Sequence, residues 1–282
     1  MTWWLGLLIG GAVGVAGITL GVARVAAARR SFERADRMRT EFVNTVSHEL
    51  RTPLTSISGF VTTLQDEWRG LPPDDVDEFL AIVRRESEHL ATLVEDILVV
   101  PRIEAGRLDL EPEVMDLSAL VDELLVSVFA PTTDKDLHVT IPNGVKVFAD
   151  PKRVGQIVRN LLANANNHGG QQVAVEGQYL GTHYLLVVSD NGTGIPRERR
   201  TAIFEEFEKG LGGDGRSGGI GLGLPIAQRL ARQMGGDLWF EPRFPAGSRF
   251  FVTFPLSAGA SSISDHMAEM HLLAPRSGFS WG

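Results

Sequence analysis

Apolar residues recur every three or four positions between residues 38 and 64, which predicts an amphipathic helix with a single apolar stripe. His48 and Glu49 lie off this stripe, on the face expected to meet water. A solvated surface histidine is the ordinary interpretation of such a position. Pro53 has no backbone N–H and is expected to bend the helix one turn after His48. The stripe comprises Met38, Phe42, Val46, Leu50, Leu54, Ile57, Val61 and Leu64.

A second helical pattern follows a break at Gly70 and Pro72–Pro73, with Asp74 or Asp75 as its expected N-cap. Its apolar residues are spaced four and three in alternation up to residue 97, which is close to a heptad. The two helices are therefore expected to form an antiparallel hairpin, and Pro101 is expected to interrupt its end. Because one hairpin buries too little to be stable alone, we expect a homodimer in which two hairpins form a four-helix bundle.

Shorter helices and strands replace this pattern after a polar linker at residues 106–112. Helices are expected at 117–128, 154–165 and 225–233, the first of them behind a cap at Asp116 or Ser118. Strands are expected at 137–141, 145–149, 172–178, 184–189, 238–241 and 249–254. Together they predict an α+β layered domain over residues 113–256. Residues 257–282 show no sustained period and are expected to be a disordered tail.

The N-terminal residues 3–22 carry no charge and are long enough to cross a bilayer as a helix. Arginines at 24, 29, 30 and 34 follow, which by the positive-inside rule places the rest of the chain in the cytoplasm. The alternative is a cleaved signal peptide, which would need a positive n-region and a shorter apolar core. We therefore expect a single-pass anchor at 1–25 in the cytoplasmic membrane, followed by a juxtamembrane helix at 26–37.

Composition narrows the classes of function. The net charge of −8 argues against an extended nucleic-acid footprint. The absence of cysteine excludes disulfides, thiolate metal sites and cysteine nucleophiles. Many of the 31 glycines cluster late in the chain, which suggests one mobile loop.

Three carboxamides share one face of the helix expected around residue 160. Gln156, Asn160 and Asn164 are spaced by four residues and lie opposite apolar positions. Carboxamide oxygens suit a hard cation that bridges phosphates. Asparagines also cap helices and cover surfaces, so this motif alone leaves both interpretations open.

A DNGTGIP motif follows the apolar strand that ends near residue 189. Asp190, at the strand end, is placed to accept from an exocyclic amine such as that of adenine. Gly192 and Gly194 allow the backbone to approach a flat ligand closely. The alternative is an ordinary turn, because Asn-Gly is a standard turn signal.

A glycine-rich segment at residues 210–223 leads into the last expected helix, an arrangement that offers backbone N–H groups to phosphates. It matches neither the P-loop nor a G-x-G-x-x-G after a strand, and a flexible linker is the alternative. Phe204 and Phe207 precede the loop and would serve either as a clamp for it or as core residues.

The order of these motifs resembles that of sensor histidine kinases of the HisKA type. The resemblance covers roughly residues 35–256, and the ATP-binding half resembles the Bergerat fold of gyrase-like and Hsp90-like ATPases. It implies a membrane-anchored multidomain protein. A dimerisation and phosphotransfer domain would occupy residues 38–105, and an α/β-sandwich ATP-binding domain residues 113–256.

The resemblance also implies roles for the site residues. His48 would be the phosphoacceptor, Glu49 the general base, and Thr52 the residue that aligns water for a phosphatase activity. The phosphoryl group would pass from ATP to His48 and then to an aspartate of a response regulator. Asn164 would be the leading Mg²⁺ ligand, supported by Gln156. The other residues expected at the nucleotide are Asn160, Asn167, His168, Asp190, Gly192, Gly194, Phe204, Phe207, Gly219, Gly221 and Gly223.

Some positions depart from the family pattern. Asn167 stands where a lysine directed at the phosphates is frequent, although the neighbouring His168 can partly replace that lysine. Glu206 stands where an arginine is frequent. These departures motivate an alternative, a phosphatase-dominant or scaffold protein that binds ATP but autophosphorylates poorly. A gyrase-like or chaperone-like ATPase is a third reading, and an exposed histidine on a helical hairpin argues against it.

Overall fold

A computed structural model describes residues 43–129, 134–205 and 221–257 of the 282-residue chain. The chain divides into two compact units, Met1–Leu90 and Ala91–Gly282. The expected anchor, the juxtamembrane helix and nearly all of the expected tail lie outside the described residues. Within the described ranges, no helix combines the length and the apolar character needed to cross a membrane.

The first unit contains the expected helical pair. Helix α1 is described from residue 43 and ends at residue 67, and helix α2, Pro73–Glu104, begins in this unit and continues into the second. The rings of Phe60 and Phe79 lie 5.0 Å apart and join the two helices. The predicted cap of α2 is wrong by one or two residues. Pro73 is already helical, so Asp74 and Asp75 lie in the first turn, where the helix dipole favours acidic residues.

Neither helix ends at its internal proline. Helix α1 is helical on both sides of Pro53, whose ring is buried. The expectation that Pro101 interrupts α2 is wrong, because α2 continues through it to Glu104. A proline removes only its own N–H bond, and the final turn is held by the Ala105 N–H bond to the Pro101 carbonyl at 3.0 Å and by burial of Val99.

The second unit is an α/β sandwich. A five-stranded sheet has the order β2-β4-β5-β7-β6, in which only the β2–β4 pair is parallel, and β1 and β3 form a separate antiparallel pair. Its helices are α3 (Leu117–Val128), α4 (Pro151–His168) and α5 (Gly223–Gln233). Its strands are β1 (Glu113–Asp116), β2 (Asp136–Thr140), β3 (Lys146–Ala149), β4 (Gln172–Leu180), β5 (His183–Asp190), β6 (Leu238–Pro242) and β7 (Ser248–Pro255).

The core lies on both sides of β5, every residue of which is buried. Helix α4 packs against both α3 and α5, and α4 and α5 also pack on the sheet. Another buried cluster in the sheet contains Leu185, Val187, Trp239 and Phe251, with the rings of Trp239 and Phe251 stacked 5.2 Å apart. A strand buried on both faces reads as a continuous apolar run, which is why β5 was evident from the sequence.

Helix α3 has the predicted bounds and the predicted cap, since the Asp116 carboxylate accepts from the N–H of Ala119 at 3.1 Å. Two other elements differ from the expectation. Strand β1 was not predicted, because its four residues form a strand only through pairing with β3. Helix α4 extends three residues beyond the prediction at each end, from Pro151, which follows an Asp150 cap, to His168.

Candidate nucleotide site and phosphoacceptor histidine

The histidine singled out by the sequence lies on the exposed face of α1 in the first unit. His48 is exposed, as the periodicity predicted, and Glu49 next to it is half-buried. The hydroxyl of Thr52 donates to the carbonyl oxygen of His48 at 3.3 Å. Since Pro53 has no N–H, the carbonyl of Glu49 lacks its usual helical donor. The result is an accessible imidazole on a rigid helix.

Asp190 forms the centre of the second unit's polar site. It is the last residue of β5 and only 6% exposed. Its Oδ1 accepts from the N–H of Gly192 at 2.8 Å, and both the N–H and the hydroxyl of Ser248 also donate to the carboxylate. Burial nevertheless raises the pKa of Asp190, because these donors offset only part of the lost hydration. A buried acceptor of this kind suits a ligand that brings its own donor.

Two glycines allow neighbouring backbone segments to pack closely around Asp190. A Cβ on Gly192 would lie 2.6 Å from the carbonyl oxygen of His168, which is closer than a side chain tolerates. Gly247 has a φ of +119°, and a Cβ there would collide with the carbonyl oxygen of Asp190. Gly247 and Ser248 were not singled out individually from the sequence. Their signal was present as the Gly-Ser pair that opens the last strand.

The carboxamide face of α4 provides the second group of candidate site residues. Gln156, Asn160 and Asn164 all lie on α4, so they share one helix face as their spacing predicted, and all three are half-buried. Asn160 lies against the start of α5, since a Cβ on Gly223 would fall 2.5 Å from its Oδ1. The side chains of Asn167 and His168 are exposed at the end of α4. Phe204 is half-buried in a short 3₁₀ turn, whereas Phe207 and Gly219 lie outside the described residues.

Gln156 is held by polar contacts within the second unit. Its Oε1 accepts from Arg153 Nη1 at 3.1 Å, and its Nε2 donates to Asp96 Oδ1 at 2.7 Å. Glu95, beside Asp96 on α2, pairs with Lys152 at 2.7 Å and with Arg153 at 3.2 Å. The hydrogen bond from Lys152 lowers the pKa of Glu95. In this arrangement the oxygen that Gln156 would offer to a cation faces a guanidinium, so Asn160 and Asn164 are the better-placed donors.

The donor set of α4 fits a hard divalent cation. Mg²⁺ takes oxygen ligands and keeps several waters, so one or two carboxamide oxygens together with phosphates satisfy it. Within the described ranges, no group of three histidine, aspartate or glutamate side chains is arranged to hold a metal. A metal at this site would therefore depend on the carboxamides and on the substrate.

We expect Gly223→Ala to weaken nucleotide binding while leaving the stability of the fold nearly unchanged. The added methyl would displace the carboxamide of Asn160, whose Oδ1 and Nδ2 lie 2.5 and 2.6 Å from the ideal Cβ position. Because the crowded atoms belong to the end of a side chain and not to the backbone, we expect the carboxamide to turn aside, and the unfolding free energy should change by less than about 1 kcal/mol. Binding of ATP with Mg²⁺ should weaken by about tenfold, as measured by titration calorimetry.

The matched control is Gly235→Ala at the other end of α5. Gly235 has a φ of +83° and open space around its Cβ position, so this substitution strains the backbone but reaches no site residue. It is expected to lower the melting temperature and leave ATP affinity unchanged. Wild-type ATP binding by Gly223→Ala would refute a role for Asn160 in the site.

Two family models match the chain in the order that the motifs suggested. The model described as His Kinase A (phospho-acceptor) domain matches residues 38–106. The model described as Histidine kinase-, DNA gyrase B-, and HSP90-like ATPase matches residues 149–258. The chain belongs to the sensor histidine kinases of two-component systems. The resemblance inferred from the sequence is thereby confirmed, as is the combination of a helical hairpin with an α/β ATPase domain.

Curated relatives show the same family. The chain is 32% identical over 250 residues to the signal transduction histidine-protein kinase BarA of Escherichia coli (strain K12), covering 84% of this chain and 27% of that protein. It is 32% identical over 227 residues to the sensor protein SrrB of Staphylococcus aureus (strain NCTC 8325 / PS 47), covering 78% of this chain and 38% of that protein. This sensor kinase thus spans between about a quarter and two fifths of the curated relatives it matches.

Solved structures share the fold. The histidine kinase AdeS of Acinetobacter baumannii superposes with a TM-score of 0.54 at 23% identity, covering 74% of this chain and 98% of that one. Full-length ShkA in complex with AMPPNP has a TM-score of 0.53 at 25% identity, covering 78% of this chain and 46% of that one.

Proposed function

We propose that this sensor kinase transfers the γ-phosphoryl group of ATP to His48 and then to an aspartate of a response regulator. The observation that carries the proposal is the buried Asp190 carboxylate, which two flanking segments hold at the end of β5 beside the carboxamide helix α4. The exposed His48 within the segment that matches the phosphoacceptor domain supports the transfer to histidine.

Different site residues contact different parts of the nucleotide. Asp190 accepts the exocyclic amine of adenine, and Gly192 and Gly194 let the backbone lie against the ring. Asn160 and Asn164 hold the phosphates and the metal, and Gly221 and Gly223 offer N–H groups at the start of α5. Mg²⁺, when bound, offsets the charge of the transferred phosphoryl group. Asn167, His168, Phe204, Phe207 and Gly219 are proposed to complete the nucleotide site.

The chemistry on the phosphoacceptor side is carried by α1. A neutral imidazole nitrogen of His48 attacks the γ-phosphorus, an N–P bond forms, and ADP leaves. Glu49 orients the ring and takes up its proton. Thr52 is proposed to align water for hydrolysis of the phosphorylated partner, because its hydroxyl oxygen can accept from water while its proton is donated to the His48 carbonyl oxygen.

A homodimer is proposed from the apolar surface of the first unit. The side chains of Leu54 and Leu80, both on the predicted stripes, are 55% and 53% exposed in the single chain. Packing of a second hairpin over them would complete a four-helix core. The membrane anchor over residues 1–25, with the two domains in the cytoplasm, belongs to the same proposal and rests on the sequence pattern alone.

The phosphatase-dominant alternative keeps one specific observation in its favour. Asn167, which replaces the frequent lysine, is exposed at the end of α4 and brings no cation to the phosphates. Autophosphorylation as fast as that of an active histidine kinase would refute this alternative.

The proposed function is tested by incubating the full chain in lipid nanodiscs with γ-labelled ATP and Mg²⁺. We expect label that is acid-labile and alkali-stable, as a phosphoramidate is. Binding of ATP without label would contradict autophosphorylation and favour the phosphatase-dominant alternative. Absence of ATP binding would contradict the nucleotide site itself.

A further inference from the structure

Lys135 donates three hydrogen bonds to backbone carbonyls at the end of α4. Its Nζ lies 3.0 Å from the oxygen of Ala165, 3.2 Å from that of Gly169 and 3.1 Å from that of Gly170. An ammonium group has three donors, so all of them are used. The lysine directly precedes β2 and is half-buried. No motif in the sequence pointed to it.

The location explains why a cation is stabilised there. The last carbonyls of a helix lack intrahelical donors and carry the negative end of its dipole. Ala165 already accepts from the N–H of Gly169 at 3.1 Å, and Lys135 adds a charged donor to the same oxygen. Burial lowers the pKa of Lys135, while the negative charge of Asp190 opposes that shift. Three backbone carbonyls thus replace water as the hydrogen-bond acceptors of the Lys135 ammonium.

The carbonyls that Lys135 gathers belong to backbone that contacts the adenine side of the site. A Cβ on Gly169 would lie 2.8 Å from the Cβ of Asp190, and one on Gly170 would lie 2.7 Å from the carbonyl oxygen of Asn191. A Cβ on Gly192 would lie 2.9 Å from the nitrogen of Gly170. The backbone of residues 169–170 therefore packs closely against residues 190–192.

The lysine itself is anchored by the sheet. The N–H of Asp136 donates to the carbonyl oxygen of Gln171 at 2.8 Å, and β2 pairs with β4 from that point. The N–H of Gln172 in turn donates to Asn191 Oδ1 at 2.8 Å. The ammonium is thus held at a defined position relative to both Gly169–Gly170 and the residues after Asp190.

We propose that Lys135 is a positioning residue of the nucleotide site, whose ammonium gathers the carbonyls of Ala165, Gly169 and Gly170 and so holds the backbone that supports Asp190 and Gly192. The inference rests on the proposed function, since it assigns Asp190 to the adenine. Without the ammonium, the three carbonyl oxygens lose the charged donor that they share, and the segment is expected to move away from Asp190. Lys135 touches none of the reacting atoms, so ATP affinity should change and the rate of transfer should not.

The first test replaces the lysine by an uncharged side chain of similar length in the full chain. Lys135→Met is expected to bind ATP about tenfold more weakly, as measured by titration calorimetry without phosphoryl transfer. The rate of His48 labelling at saturating ATP should stay within about twofold of wild type. The matched control is Lys146→Met, because Lys146 lies on β3 and pairs with Asp116 at 2.9 Å. This control should bind ATP as the wild type does.

Chemical rescue distinguishes positioning by charge from simple packing. Lys135→Ala leaves space in front of three carbonyls, which are the ligands that bind potassium in ion-selective filters. Potassium or ammonium ions are expected to restore most of the ATP affinity of Lys135→Ala, whereas choline is not. The wild type and Lys135→Met should not respond to the exchange of ions, since a side chain fills the space in both.

ATP affinity of Lys135→Met within twofold of wild type, or an Ala variant indifferent to ions, would overturn the inference. Should Lys135→Met be unfolded by circular dichroism, Lys135→Gln takes its place. Its carboxamide carries no charge and has only two N–H donors, so weaker ATP binding is again expected. Wild-type affinity in that variant also overturns the inference. A wild-type chain that binds ATP without labelling His48 contradicts the kinase proposal alone, and the comparison of affinities still decides the role of Lys135.

Discussion

Replacement of His48 by glutamine is expected to abolish labelling of the chain by γ-labelled ATP. The carboxamide of glutamine is close to imidazole in size but is not a nucleophile, so no N–P bond forms. Because His48 is exposed on α1, the unfolding free energy should change by less than about 0.5 kcal/mol. ATP affinity should be unchanged, since every residue assigned to the nucleotide lies in the second unit. The measurement is the acid-labile, alkali-stable label retained on the protein.

His89 supplies the matched control. It is also an exposed histidine, on α2, and His89→Gln should be labelled as the wild type is. Label that persists on His48→Gln would mean that another residue is the phosphoacceptor. Loss of label from both variants would point to a general disturbance of the hairpin and not to a chemical role for His48.

Asp190→Asn is expected to lower ATP affinity by about a hundredfold or more, because a site built around a buried acceptor fails when a donor replaces it. The asparagine amide would face the adenine amine with one N–H group and oppose the donors of Gly192 or Ser248 with the other. Autophosphorylation should fall in parallel at moderate ATP concentration. Titration calorimetry with ATP and Mg²⁺ provides the measurement.

The effect of Asp190→Asn on stability has a predictable sign. Burial raises the pKa of Asp190 in the folded state above its unfolded value. Ionised Asp190 therefore destabilises the fold, and this cost sets in as the pH rises through the interval between the two pKa values and remains at neutral pH. Replacement by asparagine removes the charge, so the variant should gain stability relative to wild type as the pH rises from 4 to 7. Thermal unfolding across that range measures the difference.

Asp237→Asn is the control for burial of an aspartate as such. Asp237 is 7% exposed and accepts from Arg232 Nε at 2.8 Å, and its other hydrogen bonds among the described residues are with Leu238 and Thr253, which are not proposed site residues. Its replacement should lower stability and leave ATP affinity unchanged. Equal ATP binding by wild type and Asp190→Asn would contradict the assignment of Asp190 to adenine.

The parts of the fold that were predictable are those whose stabilisation is local or repeats along the chain. Helix α3 has the predicted bounds because an apolar face and an Asp116 cap lie within its own sequence. Strand β5 was evident as an apolar run, and the Gln156, Asn160 and Asn164 series follows from helical spacing alone. Helix α2 was underestimated, because burial of Leu93 and Val99 sustains it through Pro101.

The candidate site shows the same division. Asp190, Gly192 and Gly194 were predictable because all three lie within one short motif, residues 190–196. Ser248 was not predictable as a partner of Asp190, because 58 residues separate them in the chain and only the pairing of β5 with β7 brings their strands together. Gln156 was expected to face a metal, but its Oε1 accepts from Arg153, three residues away on α4. Its Nε2 donates to Asp96, which lies 60 residues away in the chain on α2.

The sequence was sufficient to predict the family, the phosphoacceptor candidate His48, the adenine-binding candidate Asp190 and the order of the two domains. Each of these depends on residue types at short, fixed spacings, which local backbone geometry converts directly into a shared face or a turn. The three-dimensional structure was needed to show which donors surround Asp190, which side chains occupy Gln156, and that Lys135 binds the end of α4. Those contacts join segments distant in the chain, and their hydrogen bonds depend on distances and burial that no local pattern encodes.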